Sequence, residues 1–320
     1  MAFKIFNPQG FQGSMNSLNY FEGWYFKQVS SDHEQVYSFI PGISLTPGHS
    51  HAFIQVINGI SGESHYIPYS TKQFSWDKNK FEVRVGNSVF NAKGISLDID
   101  SEGLRVEGEL HFSDAVDYPR SLVSPGIMGW YSFVPFMECK HDVVSADHRI
   151  TGNLSVNNKL IGFTGGKGYI EKDWGRSFPK AWLWLHCNSF KDPSASLMVS
   201  VADIPWLGSY FLGLIGFLYV HGEFFRFNTY GNAKINELSN SGEWVTVRLQ
   251  NRKHLLELSI RKNTSGELKA PVNGEMSRHI KESIDSEVDV KLMDKYKHIL
   301  YEDHGIRAGL ETIEAIFHYL

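Results

Sequence analysis

Short runs that alternate between hydrophobic and polar residues fill the first half of the chain, and turn residues separate them at close intervals. The runs that fit strands cover residues 21–29, 35–43, 51–57, 80–85, 88–92, 95–99 and 104–112. Turn signals such as Gly86-Asn87 lie between them. Short strands spaced this closely are typical of antiparallel sandwiches and barrels.

The second half has the same character. Strand-like runs cover residues 151–156 and 159–163 at the end of the first half, and residues 181–190, 196–202, 211–220, 224–229, 244–249, 254–260 and 288–292 in the second half. The Asn157-Asn158 pair between the first two runs predicts a β-hairpin. Only residues 309–320 place apolar side chains at helical spacing, which predicts a short C-terminal helix. We therefore predict a mainly β protein with little helix and two antiparallel β domains, residues 1–163 and 164–320.

The segment from Tyr169 to Asp173 carries the most suggestive side chains. If it is extended, Tyr169, Glu171 and Asp173 share one face, while Ile170 and Lys172 lie on the other. Two carboxyls and a phenol that converge on a pocket could perform acid–base chemistry. The alternative is a polar outer strand face with Ile170 directed inward.

Two other strands offer candidate pocket residues. In residues 181–190, two tryptophans, a histidine and an asparagine share one face, and apolar residues lie on the other. This pattern predicts a central strand, with its tryptophans either in a core or in a pocket wall. The first strand likewise places Glu22 beside aromatic residues, as an exposed carboxylate or a pocket group. The shared-face residues are Glu22 and Trp24 on the first strand, and Trp182, Trp184, His186 and Asn188 on the later one.

Two segments lack a clear strand pattern. Residues 114–129 contain two prolines and no periodicity, which predicts a long loop of the kind that often forms a lid. Residues 204–220 carry no charge, but Pro205 and several glycines interrupt them. We interpret this stretch as a loop and a buried strand, with a surface that touches a membrane as the alternative.

Composition narrows the function classes. The chain has 320 residues, 42% of them hydrophobic and 14% aromatic, which supports a substantial core. A net charge of −4 provides no basic footprint for nucleic acid. Cys139 and Cys187 are too few for a disulfide framework and are predicted to be buried thiols. The N-terminus lacks the apolar core of a signal peptide, so we expect a cytoplasmic protein, with peripheral membrane contact as an option.

Several common chemistries lack their motifs. No G-x-S-x-G elbow supports a serine hydrolase, and the glycines of residues 165–168 fit neither a phosphate loop nor a dinucleotide-binding fold. His49 and His51 form an H-x-H pair without a clear third ligand. The residues alone therefore give no expectation of a zinc site.

Longer motifs resemble the tocopherol cyclase family. They are Phe21-Glu22-Gly23-Trp24-Tyr25-Phe26-Lys27, Gly129-Trp130-Tyr131-Ser132-Phe133-Val134-Pro135-Phe136-Met137-Glu138-Cys139, His141-Asp142-Val143-Val144-Ser145, the stretch from Thr164 to Pro179, and Ala181-Trp182-Leu183-Trp184 with Asn188. The resemblance runs from about Phe21 to about Leu310. It implies two lipocalin-like β domains, as in the related carotenoid hydratases and AttH-like proteins.

The resemblance also implies a reaction and site residues. Tocopherol cyclases protonate a prenyl double bond so that a phenol oxygen closes a chromanol ring, without redox change, as an intramolecular lyase or isomerase. Such a reaction implies no metal and no cofactor. In carotenoid hydratases the catalytic stretch has the form G-Y-x-D-x-N-W-G, and Gly168 to Gly175 lies along it with Glu171 for the proton-donating Asp and Asp173 for the Asn. Either carboxyl could thus be the donor, with Tyr169 beside it and His141 as the candidate for the upstream histidine.

The remaining candidates would hold a hydrophobic small-molecule substrate, such as a prenylquinone-derived phenol. They are Glu22, Trp24, Trp130, Glu138, Trp174, Arg176, Trp182, Trp184, His186 and Asn188. Tryptophan faces suit this task because they stabilise a carbocation by cation–π attraction. The alternative function is a lipocalin-like carrier of an isoprenoid or lipid, in which the same carboxyls serve as polar anchors. The oligomeric state is not visible in the sequence.

Overall fold

The computed structural model describes residues 2–135, 137–206 and 208–319. Within these ranges the chain is mainly antiparallel β, as predicted. Helix is limited there to α1 (Ala2–Ile5) and to short 3₁₀ helices at Thr71–Gln73, Gly129–Phe133, Thr229–Gly231 and Glu314–His318.

Twelve strands form the first sheet, with hydrogen-bonded neighbours in the order β4-β3-β2-β1-β12-β10-β9-β8-β7-β6-β5 and β11 paired to β10. Their bounds are β1 (Tyr20–Val29), β2 (Val36–Leu45), β3 (His51–Asn58), β4 (Ser64–Tyr69), β5 (Phe74–Trp76), β6 (Glu82–Val85), β7 (Ser88–Asn91), β8 (Gly94–Ser101), β9 (Leu104–Val116), β10 (Cys139–Val156), β11 (Lys159–Gly162) and β12 (Lys167–Gly175).

Ten strands form the second sheet, in the order β16-β15-β14-β13-β22-β21-β19-β18-β17 with β20 paired to β21. Their bounds are β13 (Trp182–Cys187), β14 (Ser196–Trp206), β15 (Ser209–Val220), β16 (Glu223–Arg226), β17 (Lys234–Ser241), β18 (Trp244–Gln250), β19 (His254–Arg261), β20 (Gly266–Val272), β21 (Glu275–Asp294) and β22 (Ile299–Thr312).

The chain forms two compact units. The first comprises Met1–Asn58, Glu63–Phe178 and Glu267–His279, and the second comprises Gly59–Gly62, Pro179–Gly266 and Ile280–Leu320. The predicted boundary near Phe163 thus falls inside the first unit. The reason is strand pairing: β12 follows that position but hydrogen-bonds to both β1 and β10.

Each unit has its own hydrophobic core. In the first unit the sheet curls so that β6 packs against β2 and β3, and residues such as Phe26, Phe39 and Phe90 fill the space within. In the second unit Leu183, Leu185 and other alternate residues form the core. Alternation along each strand therefore directs the side chains of one sheet face into the core of that unit, and those of the other face lie outside the core.

Some of the predictions made from local sequence were confirmed, and others were wrong. Asn157 and Asn158 both have positive φ, 50° and 64°, between β10 and β11, as a tight hairpin turn requires. The predicted C-terminal helix is instead the end of β22 followed by a 3₁₀ helix, because residues up to Thr312 pair with β13. Leu320, the last residue of that prediction, lies outside the described residues.

The two segments without a clear pattern have different structures. Residues 204–220 belong to the β14–β15 hairpin, so the predicted loop is largely strand; Leu207 lies outside the described residues. After β9 ends at Val116, the chain has no regular strand or helix until Gly129, as predicted. No helix among the described residues is long and apolar enough to cross a membrane.

Candidate active site

The central ladder of the first unit places the predicted carboxyls next to β10. Strand β12 lies between β1 and β10 and is antiparallel to both. In this register Asp173 lies opposite His141, and Glu171 lies opposite Tyr25. Strand alternation puts Tyr169, Glu171 and Asp173 on one face, which we call the site face.

Tyr169 and Glu171 form a buried pair on the site face. Tyr169 is fully buried and Glu171 is 5% exposed. The phenol OH of Tyr169 donates to Oε2 of Glu171 over 2.6 Å. Burial, reinforced by the charge of Glu171, raises the pKa of Tyr169 well above 10. The phenol therefore stays protonated and acts as a fixed donor to the carboxyl.

His141 bridges the two carboxyls. Its Nδ1 lies 3.0 Å from Oδ1 of Asp173, and its Nε2 lies 3.5 Å from Oε2 of Glu171. Nε2 is buried and makes no hydrogen bond to the described residues. One imidazole therefore connects Asp173 to Glu171, in the arrangement that a proton relay needs.

The electrostatics of this cluster favour a proton on the imidazole. Burial alone would lower the pKa of His141, but the charges of Asp173 and Glu171 outweigh it and raise that pKa from 6.5 to about 9. At neutral pH the cluster therefore stores a proton next to Glu171. Cys139 also approaches Oδ1 of Asp173, at 3.8 Å, and is a half-buried free thiol whose pKa burial raises well above 9.

Glu22, Trp24 and Trp174 lie on the other face of the same strands, which we call the core face. The register pairs Trp24 with Lys172 rather than with Glu171. The ammonium of Lys172 lies 2.5 Å from Glu22, 4.9 Å from the Trp24 ring centroid and 4.7 Å from that of Trp174. The prediction that these residues line the substrate site together with Glu171 is therefore not supported by their position.

The ion pair on the core face is fully enclosed. Glu22 and Lys172 are both 0% exposed. Burial lowers the pKa of Lys172, while the charge of Glu22 opposes that shift. Their other hydrogen bonds are made with the hydroxyl of Tyr20 and the backbone of Pro8, Gly10, Gln12 and Gly13. Glu22 thus serves to attach the N-terminal segment, a structural role.

The candidates on β13 belong to the second unit. Trp182, Trp184 and His186 are buried on one face, while the alternating leucines enter the core, so the predicted central strand is confirmed. The indole of Trp182 donates to Oε2 of Glu311 over 2.7 Å. Asn188 follows the end of β13 and is also buried. Their part in substrate binding stays a prediction.

Three further candidates are exposed to solvent. Trp130 is 48% exposed in the 3₁₀ helix Gly129–Phe133. Glu138 and Arg176 are exposed, and Arg176 donates to the Asn273 side chain. The structure therefore does not bring them to the buried cluster on the site face.

Tyr25 and Lys27 are site-face residues that the sequence interpretation missed. Lys27 lies opposite Tyr169 and is 0% exposed, and Tyr25 lies opposite Glu171 and is 7% exposed. They alternate with Glu22, Trp24 and Phe26 along β1. The motif that contains Glu22 and Trp24 also contains Tyr25 and Lys27, but at the alternate positions, whose side chains point to the opposite face of β1.

Among the described residues, the groups close enough to hold a cation together are those of the same cluster. Ligand atoms of His141, Glu171 and Asp173 lie within 4.8 Å of one another. His51 of the H-x-H pair contacts the His49 carbonyl and the Tyr66 hydroxyl through its two ring nitrogens.

Part of the chain matches a known protein family, and the chain is similar in sequence to curated proteins. Residues 106–313 match the family described as tocopherol cyclase-like. The chloroplastic tocopherol cyclase of Zea mays is 24% identical in the aligned part, which covers 79% of this chain and 64% of the maize protein. The chain thus spans just under two thirds of the length of that curated relative.

Solved structures share the fold at low identity. CghA, crystallised with Sch210972, superposes with a TM-score of 0.57 at 11% identity, over 92% of this chain and 88% of CghA. Kievitone hydratase from Nectria haematococca gives 0.51 at 10% identity, over 91% and 88% of the two chains. The family match covers well over half of the chain and includes β10 and β12, which carry the buried cluster. The protein therefore belongs to the tocopherol cyclase-like family.

Proposed function

We propose that this protein is a cofactor-independent cyclase that closes a prenylated phenol to a chromanol. Membership of the tocopherol cyclase-like family supports a cyclase-like enzyme. The observation that carries the proposal is the bridge of His141 between Glu171 and Asp173 on a buried strand face.

The first step needs an acid at an alkene. Glu171 is the better donor of the two carboxyls, because it is nearly buried and held by Tyr169, whereas the side chain of Asp173 is 23% exposed. At neutral pH the proton rests on His141, so Glu171 first takes it from Nε2, and desolvation favours the neutral acid that results. Transfer of its proton to the less substituted alkene carbon forms a C–H bond and leaves a tertiary cation.

The second step closes the ring. The phenol oxygen forms a bond to the tertiary carbon and loses its proton, so the product is an isomer of the substrate. Asp173 is the proposed acceptor of that proton. The imidazole of His141 contacts both carboxyls, so a proton taken up at Asp173 can return to Glu171 through its two nitrogens. The cycle then ends as it began, without an oxidant or a reductant.

Mixing the purified protein with a prenylated hydroquinone tests the proposal. We expect a product of unchanged mass and different retention, formed only with protein present. Retention of the hydroquinone without conversion would contradict the enzyme and favour the lipocalin-like carrier.

A further inference from the structure

The loop after β9 presents an exposed apolar turn. Ser121 and Ser124 exchange two backbone hydrogen bonds, of 2.8 Å and 3.1 Å, which close a two-residue turn between them. The residues at its tip are Leu122 and Val123, which are 81% and 74% exposed. Tight turns favour Gly, Asn, Asp and Ser for conformational and hydrogen-bonding reasons, so a Leu-Val tip is not explained by turn formation.

The turn is suited to a water-poor environment. Its reciprocal hydrogen bonds satisfy the backbone groups of Ser121 and Ser124 within the turn, so the peptide groups of the two tip residues are the ones that need partners in the hydrated interfacial region. The Ser124 hydroxyl donates to the carbonyl of Gly126. A convex apolar tip fits a fluid surface, because a rigid protein partner would need a matching cavity.

The near absence of charge in the surrounding segment also favours a fluid, water-poor surface as the partner of the turn. Residues 118–135 contain no Asp or Glu, and their one charged residue, Arg120, is paired with buried Asp142 over 2.8 Å. Asp142 also accepts from the backbone N–H of Ile127. The loop is therefore attached firmly to β10, and no unpaired charge within it has to be desolvated on entering a lipid interface.

The same segment exposes aromatic rings. Trp130 and Phe133 lie three positions apart in a 3₁₀ helix, so they share one side of it, and they are 48% and 44% exposed. Phe6 of the N-terminal segment contacts the Phe133 ring at 6.2 Å between centroids and is 46% exposed itself. Trp favours the interface between lipid and water, and exposed Phe side chains add apolar contacts there.

We propose that the Leu122-Val123 turn inserts into the interfacial region of a lipid surface, with the aromatic residues of the same segment as further lipid contacts. The inference rests on the proposed function, because a prenylated phenol partitions into lipid and must be collected there. The chemistry that recognises the turn is apolar, so the binding should tolerate high salt and need no anionic headgroup.

Flotation of the full chain with phosphatidylcholine vesicles tests this inference. We expect the protein to float with the vesicles at low and high salt. The double variant L122S/V123S, which places a favoured turn residue at each position, should lower the partition coefficient about tenfold or more. Leu160→Ser is the matched control, because Leu160 lies on β11 of the same unit and is 73% exposed. It should float like the wild type, and thermal unfolding should verify that both variants are folded.

Other results would overturn the inference. One is a wild-type chain that does not float, or a double variant that floats as well as the wild type. Another is binding that requires anionic lipid and is lost in salt. A third is loss through W206S/Y210S, at the tip of the β14–β15 hairpin, but not through L122S/V123S. A fourth is a wild-type dimer, seen by sedimentation, that L122S/V123S converts to a monomer without any vesicle binding.

The outcome can be separated from that of the proposed function. Flotation does not depend on turnover. Conversion of a water-soluble hydroquinone with one prenyl unit does not depend on lipid, so L122S/V123S should convert it at the wild-type rate. A chain that floats but converts nothing would contradict the cyclase, and a chain that converts but does not float would contradict only the lipid contact.

Discussion

The charged groups on the two faces of β12 differ in how completely they are hydrogen-bonded. On the core face, Lys172 is neutralised by Glu22 and surrounded by backbone carbonyls. On the site face, His141 has one nitrogen bonded to Asp173 and the other only in loose contact with Glu171. A saturated network specifies a structure, whereas an incompletely bonded one retains the freedom to move a proton.

The two histidines of β10 repeat this contrast. Burial, with the charge of Lys167, lowers the pKa of His148 from 6.5 to about 3, whereas nearby carboxylates raise that of His141 to about 9. His148 packs against Phe112 at 4.2 Å between ring centroids, on the core face. The same residue type on one strand is thus a neutral core group in one place and a charged site group in the other.

Breaking the core-face pair should have the largest effect on stability. Lys172→Met leaves Glu22 buried without its cation, and we expect the free energy of unfolding to fall by about 3–5 kcal/mol. Chemical denaturation measures this change. Adding Glu22→Gln to Lys172→Met should recover part of the loss. An unchanged midpoint in Lys172→Met would show that the pair is not the enclosed structural element described above.

The two histidines should make opposite contributions to the pH dependence of stability. The folded-state pKa of His148 is below its unfolded value, so its contribution is present above pH 6.5 and is lost towards pH 3. For His141 the folded-state pKa is higher, so its contribution is present below pH 6.5 and is lost towards pH 9. Each is on the order of 3–5 kcal/mol at 1.36 kcal/mol per pKa unit.

NMR titration of the two imidazoles would check this directly, with His148→Gln and His141→Gln for assignment. His148→Gln should also flatten the acid limb of the stability profile, and His141→Gln the alkaline limb. Two histidines that titrate together near 6.5 would contradict the contrast between the faces.

Asp173→Asn should have the smallest effect of these changes. An Asn oxygen can still accept from Nδ1 of His141, so the ring keeps its orientation, but the negative charge that raises the pKa of His141 is removed. We expect turnover to fall about tenfold and the alkaline limb of its pH profile to move to lower pH. A pH-rate series on both proteins measures this, and a profile that does not move would remove Asp173 from the proposed relay.

Alternation within strands was predictable from the sequence, whereas pairing between strands was not. The shared face of Tyr169, Glu171 and Asp173 followed from their spacing alone. Which residues of β1 join them depends on a pairing across more than a hundred residues, and a shift of one position exchanges the two faces. Glu22 and Trp24 were therefore assigned to the site in place of Tyr25 and Lys27.

Long-range strand pairing also explains why other features could not be predicted from local sequence patterns. His141 was found through family resemblance, since no local pattern links it to residues 171–173. The domain boundary was placed too early because chain order does not show that β12, which follows residue 163, completes the first sheet. Local turn chemistry at Asn157-Asn158 needed no such information, and that prediction was confirmed.

Cyclisation in D₂O by the wild type and by Glu171→Gln tests the central claim most directly. The wild-type product should gain one non-exchangeable deuterium, on the carbon next to the new quaternary centre, because that carbon receives the proton of the acid. Glu171→Gln keeps the shape of the side chain and a group that accepts from Tyr169, so it should bind the hydroquinone and unfold within about 1 kcal/mol of the wild type. Its turnover should fall by at least a hundredfold. Wild-type turnover by the folded Glu171→Gln variant, or a wild-type product without deuterium, would contradict the account.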